Sequence, residues 1–322
     1  MLDKKIKNIL EKSKYRIAGK HSAVKICKWT KKAIRGEEGC WKEKFYGIKS
    51  SRCCQFSPSV MWCENKCLHC WMPIELNLGT KIKSIDEPKE IIDEIVNERR
   101  GLLMGFKSRQ NLDLKKFKEA LTPSLFTFSL SGEPTLYPKL AELIKEVKKR
   151  DAISFLVTNG LNPKKIEELE KKNCLPTQLI VSVNAPNESL YQKICRSCKK
   201  DAWKKLNETL SLLPKLKCRT VIRLTLIKEM NMKEEHAKQY AELIKKASPL
   251  FVHVKGYVAL GCSKERLGEE KMPSHKEVRE FAQKILKQLK NEKYKFLDEK
   301  KESFVVLLGK DKKRMKIQKN EI

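Results

Sequence analysis

The chain has 322 residues, 40% of them apolar, enough for one large α/β domain or two small ones with a buried core, and no apolar run approaches the length that spans a bilayer. Its 70 Lys and Arg against 40 Asp and Glu leave a net charge of +30. That surplus attracts a polyanion and makes nucleic acid the expected partner, because the Lys and Glu enrichment of heat-adapted proteins raises both signs together.

The first eighty residues are rich in Cys, Lys and Gly and carry one clear helix. From about Asp86 onward helical and strand patterns alternate with short connections, as in βα units around a parallel sheet. A strand leading into Cys63 opens the series, and Pro88 then starts a helix whose Ile91, Ile92 and Ile95 share one face. Strands are predicted at 125–130, 153–157, 178–183, 219–227 and 251–257, separated by helices at 140–149, 164–172, 203–213 and 234–246. About six βα units are too few to close an eight-stranded barrel, so the expected fold class is α/β, a partial (β/α)6 TIM-like barrel. Ser274 opens an amphipathic helix reaching Leu289, and 304–308 is a strand before a basic terminus. The expected division is a Cys-rich N-terminal extension over 1–60, the barrel over 61–260 and a C-terminal helix and strand extension over 261–322. Neither an internal repeat nor a dimerisation heptad is present, so a monomer is expected.

Twelve cysteines would suit a secreted disulfide scaffold, but residues 1–14 form a lysine-rich amphipathic stretch without the apolar core of a signal peptide. The thiols therefore read as reduced, metal-binding or buried, and the expected location is cytoplasmic. Three of them, Cys63, Cys67 and Cys70, have the spacing C-x3-C-x2-C. Three thiolates satisfy three irons of a [4Fe–4S] cluster and leave the fourth free for the amino and carboxylate groups of S-adenosylmethionine (SAM), an arrangement for radical chemistry. The competing reading is a Cys3His zinc knob using His69; the three-residue gap and the downstream polar pattern weigh against it.

Ligands of parallel α/β sheets sit at the carboxyl ends of strands. There the sequence has Ser131-Gly132-Glu133-Pro134, Thr158-Asn159-Gly160 and Ser182-Val183-Asn184. Glu133 offers an anion to the methionine ammonium, while Thr158, Asn159, Ser182 and Asn184 offer hydroxyl and amide groups to its carboxylate and to the ribose. His69, just before the last cysteine, stands where a planar ring can cover the adenine, and reads equally as a surface histidine on a loop. Upstream, Cys27, Cys40 and Cys53 recur at equal intervals and admit two readings, a second open-cornered cluster or incidental thiols. Lys42 lies two residues past Cys40, and a lysine beside a cluster in a desolvated pocket can condense with a keto group. Cys195-x-x-Cys198 looks like a metal or redox motif but has no partner pair nearby, and reads as structural or incidental.

On these residues the sequence closely resembles the radical SAM tRNA 4-demethylwyosine synthases, archaeal-type enzymes of the wyosine pathway. The resemblance runs through Cys40 to Ile48 (CWKEKFYGI), Cys67 to Trp71 (CLHCW), Ser131 to Pro138 (SGEPTLYP), Phe155 to Gly160 (FLVTNG), Val183 to Asn187 (VNAPN), Thr220 to Ile227 (TVIRLTLI) and Val254 to Tyr257 (VKGY). It implies a lyase-type enzyme that converts N1-methylguanosine, 3′ of the anticodon of tRNA(Phe), to tricyclic 4-demethylwyosine with pyruvate as two-carbon donor. It further implies two [4Fe–4S] clusters, one on Cys63, Cys67 and Cys70 that cleaves SAM and an auxiliary one on Cys27, Cys40 and Cys53. Lys42 falls on the family's proposed Schiff-base lysine. Asn184 stands where family members often have an aspartate. No flavodoxin-like domain is present, which implies an external electron donor of flavodoxin or ferredoxin type. Two rivals stay open at this point: a radical SAM enzyme with an auxiliary cluster acting on a peptide or small molecule, and a zinc-stabilised RNA-binding protein.

Overall fold

A computed structural model describes residues 2–107 and 111–322. The chain opens with α1 (Lys4–Lys12), the short hairpin β1 (Arg16–Ala18) and β2 (Ser22–Val24), and two helices of six residues, α2 (Lys28–Ala33) and α3 (Trp41–Tyr46). The βα series follows: β3 (Cys53–Ser57), α4 (Pro88–Met104), α5 (Leu114–Ala120), β4 (Leu125–Phe128), α6 (Leu140–Lys148), β5 (Ile153–Thr158), α7 (Pro163–Lys171) and β6 (Gln178–Ser182). It continues through α8 (Glu188–Cys195), α9 (Ala202–Leu212), β7 (Arg219–Leu226), α10 (Glu234–Ala247) and β8 (Phe251–Gly256), and ends with α11 (Ser263–Leu267), α12 (His275–Gln288), β9 (Lys295–Lys300) and β10 (Val305–Gly309).

One ten-stranded sheet runs in the order β1-β2-β3-β4-β5-β6-β7-β8-β10-β9. Strands β3 to β8 pair in parallel, the six strands of a partial barrel. Antiparallel strands extend it at both ends. The first barrel strand begins at Cys53, within the segment expected to be the N-terminal extension, and β10 pairs directly with β8, so both terminal segments share the barrel's sheet.

Alternation along the strands sorts their side chains into two layers. Leu156, Leu179, Val181, Ile222, Leu224, Val252 and Val254 face the helices, whereas Phe155, Val157, Ile180, Val221 and Phe251 face inward and pack around Phe45 and Tyr46. Helix α3 thus fills the barrel interior. Its Tyr46 hydroxyl meets His253 Nε2, and Trp41 lies edge-on to His253 with ring centroids 4.7 Å apart. The helix stops at Gly47, whose φ of +73° lets its N–H return to the Glu43 carbonyl at 3.0 Å.

Candidate radical SAM active site

The loop after β3 carries Cys63, Cys67 and Cys70, and two devices hold it at the barrel mouth. Gly132, with φ +71°, lies so close to this loop that a Cβ there would collide with the Ser59 carbonyl, and the neighbouring Glu133 N–H donates to Trp62 O at 2.7 Å. From the far side Arg266 donates to the carbonyls of Leu68 (3.1 Å), Cys70 and Met72 (3.2 Å). The Ser-Gly-Glu-Pro turn is therefore locked to the three-cysteine loop by backbone contact as well as by sequence proximity.

Glu133 is buried, and its carboxylate accepts from Thr135 N (3.0 Å), Thr135 Oγ1 (2.7 Å), Thr158 Oγ1 (2.7 Å) and Asn159 N (2.7 Å). Burial and the nearby Glu64 carboxylate still push its pKa up to about 7. Thr158 is fully occupied here: its hydroxyl donates to Glu133 and accepts from Gly160 N at 3.0 Å, so it orients the carboxylate. Asn159 Nδ2 donates to Glu64 at 2.9 Å and lies 3.9 Å from Cys63 Sγ. Ser182 Oγ accepts from Arg223 Nη2 at 2.9 Å. Asn184 is buried, and its backbone carbonyl is held by Asn231 Nδ2 at 3.0 Å. His69 is half-buried, and burial, with Arg223 and Arg266 nearby, lowers its pKa to about 4, so the ring is neutral.

The residues at this mouth fit a bound polar cofactor. His69 Nδ1, Ser131 Oγ and Asn184 Oδ1 are buried without a hydrogen-bond partner, polar atoms that a polar ligand would satisfy. The thiols fit an iron site as well. Burial, then Cys67, then the carboxylates of Glu133 and Glu64 hold Cys63 well above the usual thiol range, and burial with Cys67 pushes Cys70 up to about 11. A set of buried thiolates that repel one another ionises together only when cationic metal shares the charge. Among the described residues no three His, Cys, Asp or Glu side chains converge on a single ion, which an open-cornered cluster does not require because each thiolate binds its own iron.

Deeper in the barrel lies the second group. Cys27 and Cys40 cap the N-termini of α2 and α3, and Cys53 begins β3. Lys42 Nζ lies 3.3 Å from Cys53 Sγ and 3.2 Å from Thr127 Oγ1. Burial lowers the Lys42 pKa, but the thiolates of Cys53, Cys40 and Cys27 outweigh it and hold the ammonium above its usual range. The structure thus brings Cys27, Cys40, Cys53 and Lys42 together, as it does Glu133, Thr158, Asn159 and the cluster loop.

Some members of the site carry little sequence signal. Glu64 looked like a spacer between cysteines, yet it is buried and bound by Asn159 and Lys199. Arg223 and Lys255 sit on inward positions of β7 and β8, where a charged residue inside an apolar run is the available signal. Cys195 is buried at the end of α8 against Cys67, whose thiol it raises by hydrogen bonding, and Cys198 is exposed.

Six parallel strands with a three-thiol loop at their carboxyl ends define a radical SAM enzyme, and residues 58–241 match the model of the Radical SAM superfamily. Residues 246–310 match the model for wyosine base formation. The chain is 42% identical to the S-adenosyl-L-methionine-dependent tRNA 4-demethylwyosine synthase of Pyrococcus abyssi over 96% of its own length and 90% of that protein's. It also resembles a solved structure of TYW1 with a lysine-pyruvate adduct bound, with a TM-score of 0.85 and 37% identity over 99% of both chains. For archaeal TYW1 the TM-score is 0.76 at 34% identity, over 96% of this chain and 97% of that one. The chain belongs to the SAM-dependent tRNA 4-demethylwyosine synthase family, and the zinc-stabilised RNA-binding reading falls. No helix among the described residues is long and apolar enough to cross a membrane.

Proposed function

We propose that this enzyme converts N1-methylguanosine, 3′ of the anticodon in tRNA(Phe), to 4-demethylwyosine with pyruvate as two-carbon donor, using two [4Fe–4S] clusters and an external electron donor. Cys63, Cys67 and Cys70 would hold the cluster that binds SAM, and Cys27, Cys40 and Cys53 the auxiliary one. When bound, the first cluster and SAM supply a carbon radical strong enough to take a hydrogen atom from an unactivated N-methyl group.

The chain's own residues then bind and orient. Glu133, aimed by Thr158 and the Asn159 N–H, receives the methionine amino group. Ser182 and Asn184 serve its carboxylate and ribose, and the neutral His69 ring covers the adenine. Once its ammonium has given up a proton to solvent, the Lys42 amine attacks the keto carbon of pyruvate and water leaves, giving a Schiff base that fixes the donor inside the barrel. Thr127, 3.2 Å from Lys42 Nζ, orients that amine. The target base, lying in a loop, is splayed into the mouth, and the basic surface holds the anticodon arm.

The observation that carries the reading is Lys42 among three thiols inside the barrel, together with the lysine-pyruvate adduct of the 37%-identical relative. Reconstituted enzyme, SAM and reductant should convert N1-methylguanosine-containing tRNA(Phe) only when pyruvate is present, read by nucleoside mass spectrometry. Borohydride added with pyruvate should leave a reduced adduct on Lys42, and the Cys27, Cys40 and Cys53 triple Ala variant should keep about half the iron. Product without pyruvate would sink the donor assignment, and an adduct on another lysine would reassign the nucleophile.

A further inference from the structure

Among the described residues, two cations in the barrel interior have no carboxylate to balance them. Arg223, half-buried on β7, makes one side-chain hydrogen bond among the described residues, to the neutral Ser182 hydroxyl. Lys255, half-buried on β8, has neither a hydrogen bond nor an ion pair among the described residues. Their strands are neighbours: Arg223 pairs with His253 and Thr225 with Lys255, so the two inward side chains stand on adjacent strands two rungs apart. Between them lies His253, whose Nδ1 is buried without a partner.

Two half-buried cations without a counter-ion cost free energy that a bound anion recovers. The buried Arg219 has the Glu321 carboxylate at 3.0 Å, whereas no Asp or Glu among the described residues acts on Arg223 or Lys255. Burial alone lowers Arg223, to about 10, and burial followed by Arg223 lowers Lys255, to about 8, with Cys40 the one anion opposing it. Helix α3, which carries Lys42, packs on the same strand as Lys255, with the Trp41 ring centroid 4.7 Å from that of His253, so the two cations share the barrel interior with the amine proposed to take pyruvate.

We infer that Arg223 and Lys255 form the carboxylate subsite for the 2-oxo acid, gripping its carboxylate while its keto carbon meets Lys42. The inference rests on the proposed use of pyruvate and adds the residues that select for it. Arg presents a planar fork to a carboxylate, Lys a point charge from the next strand. A 2-oxo acid has its keto carbon bonded directly to the carboxylate carbon, so gripping one fixes the other within a bond length or two of the amine. Arg223 and Lys255 are positioning residues: no bond to them forms or breaks.

The test uses the reconstituted holoenzyme with Arg223→Gln, Arg223→Lys and Lys255→Gln. Loss of one charge-assisted contact should raise the KM for pyruvate by about 10- to 100-fold with a smaller change in kcat, and Arg223→Lys should recover part of it. Borohydride trapping at low pyruvate should yield correspondingly less adduct, recovered at high pyruvate, while iron per chain and the Kd for SAM stay at wild-type values. A raised Kd for SAM with pyruvate KM unchanged would assign the pair to the methionine carboxylate and overturn the inference. Lost iron with pyruvate KM unchanged would overturn it in favour of cations that only balance the auxiliary cluster. Should wild-type enzyme trap no adduct, the Schiff-base reading of Lys42 fails, while the split between the pyruvate KM and the SAM Kd still decides the subsite.

Discussion

Glu133 carries two opposing demands. Its hydrogen bonds from Thr135, Thr158 and Asn159 favour the carboxylate, while burial and Glu64 favour the acid, and the balance lies at about 7. A SAM amino group that donates to Glu133 prefers the carboxylate, so below pH 7 binding must first displace a proton. The Kd for SAM should therefore rise about tenfold more in wild type than in Glu133→Gln between pH 7.5 and pH 6, measured by equilibrium binding to reconstituted enzyme. Parallel pH curves for the two proteins would remove Glu133 from the SAM site. At this scale the sequence was informative where chemistry dictates spacing: the three-cysteine loop and Glu133 are readable without coordinates. Thr158 was legible as a candidate, but its hydrogen bond to Glu133 was not, since a strand-end hydroxyl looks the same facing a ligand or a neighbouring carboxylate. Glu64 was hidden because nothing local distinguishes a buried glutamate from a solvated one.

Helix α3 is the element on which the deeper half of the site depends, because it brings Lys42 and Cys40 into the barrel. Beneath it Arg219, only 2% exposed, stacks near Tyr46 and Phe251 with its guanidinium carbon 5.6 and 5.3 Å from their ring centroids. The C-terminal segment supplies its counter-ion: Arg219 Nη1 donates to both Glu321 oxygens at 3.1 and 3.0 Å, and Nη2 to Met315 O at 2.9 Å. Glu321→Ala leaves that guanidinium short of its anion. A fully buried pair would cost about 3–5 kcal/mol, and because the Glu321 side chain is 20% exposed the expected loss is about 2 kcal/mol. Anaerobic urea denaturation reads it as a lower midpoint, and an unchanged midpoint would mean that α3 does not rest on this pair. The regular βα units of 86–289 were legible from periodicity, to within a residue or two at most ends. Helix α3 was not, since six residues hold too few turns to display a period, and β1 and β2 have only three residues each. Helix α8 could have been found: Asn187 caps it by accepting from Leu190 N, and Tyr191 and Ile194 are its buried face. Strand β9, Lys-Phe-Leu-Asp-Glu-Lys, is a polar sheet edge and resembles a loop in composition.

Across the whole molecule, +30 of net charge has to be distributed somewhere. Acidic residues are largely engaged in surface ion pairs, which contribute little individually and leave the surplus cations to set the field. Part of that surplus collects beside the cluster loop. Residues after α8 are fastened to it by Lys66 N to Cys195 O (3.0 Å) and Cys198 N to Glu64 O (2.8 Å), and a β-bridge joins Asn65 to Ser197. Lys66, Arg196 and Lys200 are exposed along this seam, and Trp71, 36% exposed, follows the last cluster cysteine. A flexible tail could not aim phosphates at the mouth, whereas cations fastened to the cluster loop are placed to hold a nucleic acid in register with it. Binding of N1-methylguanosine-containing tRNA should therefore weaken steeply with salt, and each of Lys66→Ala, Arg196→Ala and Lys200→Ala should lower the slope of log Kd against log salt by about one if that residue meets a phosphate. Filter binding over a salt series measures the slopes, with the Kd for SAM as the control that must not move. Three variants with wild-type slopes would show that the anticodon arm enters across another face, and that the charge beside the cluster loop serves the clusters and not the RNA.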